Sequence, residues 1–117
     1  GLSNHALDTP WPKVALTRER FAAEICGERL EPGPLRKLLR DRRPASDEVL
    51  PETGIGVERE RLLSSPFIVS DTYGTRCTTV VLVDREGGIR VEECCYGRDG
   101  EPVGRTEVAF QVTAGSA

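Results

Sequence analysis

Four cysteines, one histidine and a short Tyr-Gly-Thr-Arg segment are where chemistry would have to begin in this chain. The thiols are Cys26, Cys77, Cys94 and Cys95, and His5 is the only imidazole. A nucleophilic side chain needs an adjacent base to activate it. Cys77 and Thr78 sit in an apolar run with no histidine near them in sequence, so a Ser/Cys-His arrangement would have to recruit His5. A lone His of this kind reads more simply as a surface or capping residue. The single His and the lack of a Cys-x-x-Cys pair argue against a zinc site. Cys94 and Cys95 are neighbours on a strand, point to opposite faces, and can neither bond each other nor chelate together. The expectation is buried or half-buried free thiols in a reducing cytosol, with a disulfide or redox role as the alternative. No cofactor is called for.

Tyr73-Gly74-Thr75-Arg76 is a polar lead-in to the apolar run. Gly74 permits an unusual backbone dihedral or a close approach. The Arg76 guanidinium suits a carboxylate or phosphate, which makes Arg76 and Tyr73 candidate substrate-binding residues. An ion pair between Arg76 and one of Asp47, Glu48 or Glu52 is the competing reading. A basic run from Arg36 to Arg43 reads as the cationic C-terminal end of a helix with a wet face, in preference to a nucleic-acid patch.

Those side chains must be held by elements, and the longest strand-like run is Cys77 to Val83. Cys77, Thr79, Val81 and Val83 fall on one face, and Thr78, Val80 and Leu82 on the other. A strand apolar on both sides is normally covered on both, so it reads as a central strand. Upstream, Asp8-Thr9-Pro10-Trp11-Pro12 carries capping side chains and prolines that fit a helix start. A helix from Pro12 to Cys26 follows, with Val14, Phe21, Ala22 and Ile25 on one stripe and Gly27 to end it. Pro34 opens a second helix bearing Leu35, Leu38 and Leu39. Residues 43–65 show no clear periodicity beyond one helical turn at 58–61, and a loop of that length is often functional or mobile. Gly1 to His5 could be the end of a strand, and Phe67-Ile68-Val69 reads as a short strand after Pro66. Downstream, Arg85-Glu-Gly-Gly88 is a hairpin signal. Ile89 to Tyr96 and Val103 to Val112 read as the return strand and a third strand.

The chain has 117 residues, 38% of them apolar and 30% charged, with a net charge of −3. That length bounds it to one domain at most. The charge leaves no electrostatic footprint for nucleic acid or an anionic membrane. No apolar run approaches the roughly 18 to 20 residues a membrane helix needs. The opening residues have no signal-peptide pattern and read like the middle of a longer reading frame.

Gly1-Leu-Ser-Asn4, Leu7-Asp-Thr-Pro-Trp-Pro-Lys-Val14, Leu39-Arg-Asp-Arg42, Leu50-Pro-Glu-Thr-Gly54, Leu62-Leu-Ser-Ser65-Pro-Phe-Ile68 and Tyr73-Gly-Thr-Arg76 occur in that order. Together they resemble the C-terminal part of the NRDE family, which includes the transport and Golgi organisation protein 2 proteins. Cys77-Thr78 departs from the two small hydroxyl residues usual there. The resemblance implies an α+β fold, the C-terminal portion of a four-layer αββα sandwich like that of N-terminal-nucleophile hydrolases. It implies that residues 1–117 are a single partial domain whose Met-Cys start lies outside the chain. It also implies amide hydrolysis by an N-terminal cysteine, with Asn4 of Ser3-Asn4-His5 as the oxyanion donor and catalytic residue carried by this chain. The alternative from the same family is a non-enzymatic role in haem or lipid handling or Golgi organisation, although one His and no Met offer no haem-ligand motif.

Three structural expectations follow. The strands form one antiparallel sheet, hairpin turn at Glu86 to Gly88, with both helices on one side. One sheet face, through Val80 and Leu82 or their opposites, is left bare, so the chain pairs with the rest of its protein, pairs with itself, or aggregates. Asn4 projects into a concave site, shared with Arg76, that receives a small-molecule ligand.

Overall fold

The computed structural model describes residues 1–27 and 29–112. Helix α1 spans Pro12–Ile25, α2 Pro32–Leu38 and α3 Val57–Leu63, with a 3₁₀ turn at Asp47–Val49. Strands β1 (Cys77–Val83), β2 (Gly88–Tyr96) and β3 (Pro102–Gln111) follow as an antiparallel meander in the order β1-β2-β3. The fold is α+β, helices first and sheet last.

Helix α1 starts where the prolines require it. Trp11 is extended (φ −62°, ψ 146°) and Pro12 occupies the first turn, where its missing amide costs nothing. No side chain caps this end, so Asp8 and Thr9 do not serve as the expected caps. Thr9 Oγ1 instead meets His5 Nδ1 at 2.9 Å, and Gly1 to His5 forms bends, not a strand. The helix ends on Cys26, with Gly27 one position beyond. Only Val14 of its apolar stripe is buried, because α1 packs chiefly on α2 and leaves Phe21 and Ile25 half exposed. Of the two helices, α2 is the one laid on the sheet, against β1. It begins at Pro32, two residues earlier than the sequence suggests.

The sheet corrects one expectation directly. β1 is an edge strand, and β2 occupies the centre. Thr78 and Val80 are buried under the helical cover, as are their cross-strand partners Cys94 and Glu92 on β2. Thr79, Val81 and Val83 face outward and are exposed. The turn after β1 is closed by Asp84 and Gly88, whose backbones bond at 2.9 Å, and Gly87 takes the left-handed φ of +85° it needs. β3 carries Arg105 and Glu107 toward the covered side and Val108 and Phe110 toward the bare one. β1 and β3 each have one unpaired edge within this sheet.

The buried centre is small: Phe67, Cys94 and Tyr96, with Val69 against them. Phe67 and Tyr96 meet edge to face at 4.7 Å between centroids, a favoured aromatic geometry. Phe67–Val69 is not a strand; its only ladder contact is a bridge from Val69 to Gly74. The Ile68 carbonyl accepts the Thr75 amide at 2.8 Å, and Thr75 Oγ1 accepts the Ile68 amide at 3.0 Å. That pinch holds residues 68–75 as a closed loop.

The arginine run proves structural. Arg36 reaches inward to buried Glu92, which Arg105 of β3 also engages. Arg40 and Arg42 lie over the Phe67 ring at 5.7 and 5.4 Å, and Arg40 also over Tyr96 at 5.5 Å, within cation–π range. Both donate to the Gly100 carbonyl. Residues 43–65 are similarly tied: Arg61 grips Asp47 at 2.7 and 2.9 Å, and Ser64 Oγ accepts the Ala45 amide.

Candidate functional site

Asn4 and Tyr73 line one cleft of about 580 Å³ between the start of α1, α3 and the 68–75 loop. Trp11, Lys13, Thr53, Arg59, Glu60, Ser64 and Thr72 contribute to its polar wall. The volume lies in the range of small-molecule sites. Local rules place Lys13, Tyr73 and Glu60. The Pro10-Trp11-Pro12 start fixes Lys13 in the first turn of α1, and its Nζ donates to the Leu63 carbonyl at 2.8 Å, bridging α1 to the end of α3. Burial pushes the Lys13 ammonium below the usual lysine range. Tyr73 is set by Ser70, whose Oγ accepts the Tyr73 amide at 3.0 Å and donates to its carbonyl at 2.6 Å. Buried Glu60 accepts the Thr53 amide at 2.7 Å and the Thr53 hydroxyl as well, so its carboxylate is committed to holding the cleft wall.

Arg76 does not share this cleft. It lines an adjoining one with Ser70, Asp71, Tyr96 and Arg98, and Tyr73 borders both. Arg76 is exposed. The ion pairs described leave it out, and Asp47, one of its expected partners, belongs to Arg61. His5 is engaged with Thr9 and tilted against the Trp11 ring at 5.7 Å. Cys77 opens β1 with an exposed side chain, while Thr78 is buried beneath the helices.

The cleft therefore gathers an amide, an ammonium group, a guanidinium and a phenol, with its carboxylate and the Ser64 hydroxyl already bonded. A lining rich in donors suits a ligand bearing carbonyl or carboxylate oxygens. Among the described residues it contains no activated nucleophile. No cluster of His, Cys, Asp and Glu able to hold a metal occurs among them either. Sequence reasoning did not assign Lys13, Thr53 or Glu60 a part here. Lys13 had a visible signal, being one of two lysines and placed directly behind a helix-starting proline. Thr53 and Glu60 had none, since their pairing spans a stretch with no periodicity.

A helical layer on one face of an antiparallel meander, with a polar cleft at the lead-in to its first strand, makes the fold α+β. The chain belongs to the Transport and Golgi organisation 2 family, whose model matches residues 1–97. The match covers the cleft, α1 to α3, β1 and β2, and stops before β3. No curated protein matches this chain. No helix among the described residues is long and apolar enough to cross a membrane.

Proposed function

We propose that this chain is part of an N-terminal-nucleophile-type amidohydrolase that acts on a small amide, with the nucleophile supplied from outside residues 1–117. The observation that carries the reading is the position of Asn4 in a donor-rich cleft of small-molecule size beside Lys13 and Tyr73. An amide N–H aimed at a developing oxyanion contributes about 3 kcal/mol to a transition state. Arg76, in the adjoining cleft across Tyr73, binds the more distant end of the substrate. The αββα arrangement assigned to this family accounts for the bare sheet face, which a second sheet from the rest of the protein would cover. An excess of surface supports that reading: the chain exposes 8528 Å², roughly 2,200 Å² more than a compact protein of its mass. Residues 1–117 are then one partial domain of a cytoplasmic protein that needs no cofactor.

The test is turnover of an acyl-amide panel by the complete protein carrying Asn4→Ala. A fall in kcat of roughly 10² to 10³, with unchanged unfolding, is the expected result. Unchanged turnover, or a loss matched by a lower unfolding midpoint, would overturn the role given to Asn4. A second reading, lipid handling, has its own observation: an open groove along α1, α2 and the β1 edge, lined by Phe21, Ile25, Leu35, Leu39, Val83 and Phe110. Saturable displacement of a fluorescent fatty acid, with no amide turnover, would favour it.

A further inference from the structure

Cys77 and Cys95 are directly opposite each other in the β1–β2 ladder. Their pairing type follows from its neighbours. The Tyr96 amide donates to the Arg76 carbonyl at 2.8 Å, and the Asp84 amide to Gly88 at 2.9 Å. Pairs 76/96 and 84/88 are thus hydrogen-bonded, and alternation along an antiparallel ladder makes 77/95 a non-hydrogen-bonded pair. In such a pair the Cα atoms approach to about 4.5 Å and the side chains lie closest. That separation falls at the short end of the roughly 4.4 to 6.8 Å spanned by disulfides. Both thiols lie on the bare face of the sheet, Cys77 exposed and Cys95 half buried. The other two are excluded by position. Cys94 points to the opposite face and packs on Phe67 and Tyr96, and Cys26 caps the far end of α1.

We propose that Cys77 and Cys95 form a cross-strand dithiol that closes to a disulfide by exchange with small-molecule disulfides such as oxidised glutathione. The order of events follows from the surroundings. Burial and the Glu93 carboxylate beside it push the Cys95 thiol up, and its Sγ–H points to Glu93 Oε1 at 3.8 Å. Cys77, at the exposed start of the strand, attacks first. Its thiolate bonds to one sulfur of the oxidant and expels a glutathione thiolate, leaving a mixed disulfide on Cys77. Cys95 then loses its proton and attacks Cys77 Sγ, expelling the second glutathione. The dithiol gives up two electrons and two protons, and one disulfide becomes two thiols. Closure staples the first residue of β1, next to Arg76, to the end of β2. A disulfide in an exposed cross-strand position is of the readily reversed kind. Neither thiol lines the Asn4 cleft, but both lie on the sheet face that a second sheet covers in the amidohydrolase reading, so the exchange belongs to residues 1–117 with that face open.

The folded protein is incubated with oxidised glutathione, quenched with an alkylating agent, and read by intact mass and peptide mapping. The expected product carries a Cys77–Cys95 link, two hydrogens lighter over that pair, apart from any adduct on the exposed Cys26. The link persists in Cys26→Ser and Cys94→Ser and is lost in Cys77→Ser and Cys95→Ser. In Cys95→Ser, Cys77 keeps its glutathione adduct, whatever adduct the exposed Cys26 also carries. A link through Cys26 or Cys94, or no closure in the folded protein while denaturant permits it, overturns the proposal. The wild-type peptide map alone decides between these, so no variant has to fold for the test to count.

Discussion

Glu92 shows what a single buried charge asks of its neighbours. Its side chain is only 1% exposed, beneath α2, and two guanidinium groups, Arg36 and Arg105, converge on it. Burying a carboxylate is tolerable only with such partners, and removing one side of the arrangement leaves the other desolvated and unpaired. Glu92→Gln is therefore expected to destabilise the fold by about 3 kcal/mol, measured by urea unfolding. A loss much below 1 kcal/mol would mean that water reaches the site. Asp41 is the second such carboxylate. Hydrogen bonds from Arg43, then Arg20, outweigh burial and hold it far below the usual carboxylate range. Its folded-state value lies below its unfolded one, so its contribution is present above about pH 4 and fades as pH falls below that. The wild-type protein should thus lose stability on acidification more steeply than Asp41→Asn; parallel curves would rule out Asp41 as a source of that dependence. None of this was legible in the sequence, where Arg36 to Arg43 reads as a solvated helix end. Periodicity reports which face a side chain takes, and Arg36 shows that a facing carboxylate can turn a cation inward.

Elements were read more faithfully than their neighbours were. The hairpin turn, β2, β3 and the proline start of α1 stand close to where residue patterns put them, because each rests on local rules of backbone geometry. The place of β1 did not, since alternating β-branched residues describe two faces and say nothing about which strands flank them. Residue pattern shows only a single turn of α3, and three apolar residues after a proline fit a strand as well as the bridged loop that Phe67–Val69 forms. The resemblance singles out Asn4 and the polar lead-in singles out Tyr73 and Arg76, but neither tells that Asn4 and Tyr73 line one cleft and Arg76 the next. The turn after β2 offers a sharp test at this scale. Gly100 has φ +76°, and a Cβ there would meet Val69 at 2.7 Å, Arg42 at 2.8 Å and the Phe67 ring at 3.0 Å. Gly100→Ala should cost more than the 1 kcal/mol or so typical of a glycine replaced elsewhere. Thermal unfolding checks this, and an unshifted midpoint would show that the turn relaxes freely.

At the scale of the molecule, the bare sheet face dominates. Val81, Val83, Val108, Phe110 and Val112 are each half or more exposed, and contiguous apolar patches of this kind mark a surface that is normally covered. The Cα radius of gyration is 16.7 Å, against about 13 Å for a compact chain of this length. The chain alone is expected to self-associate in concentrated solution. Val83→Lys combined with Phe110→Lys should raise the monomer fraction, since both side chains already face solvent. Light scattering reads both outcomes, and a monodisperse wild-type monomer at high concentration would contradict the first.

The free edges of β1 and β3 give that association a second possible form with different arithmetic. Two copies joined face to face satisfy one another and stop, so the assembly saturates at a pair. Copies joined edge to edge leave a vacant edge at either end of the assembly, and its unpaired backbone donors and acceptors template another strand. Such growth is open-ended, with a size distribution that broadens with concentration and time. The lysine pair above would suppress only the terminating form. A residual population of ever-larger particles in that variant would identify the sheet margins, not the apolar face, as the route by which the isolated chain polymerises.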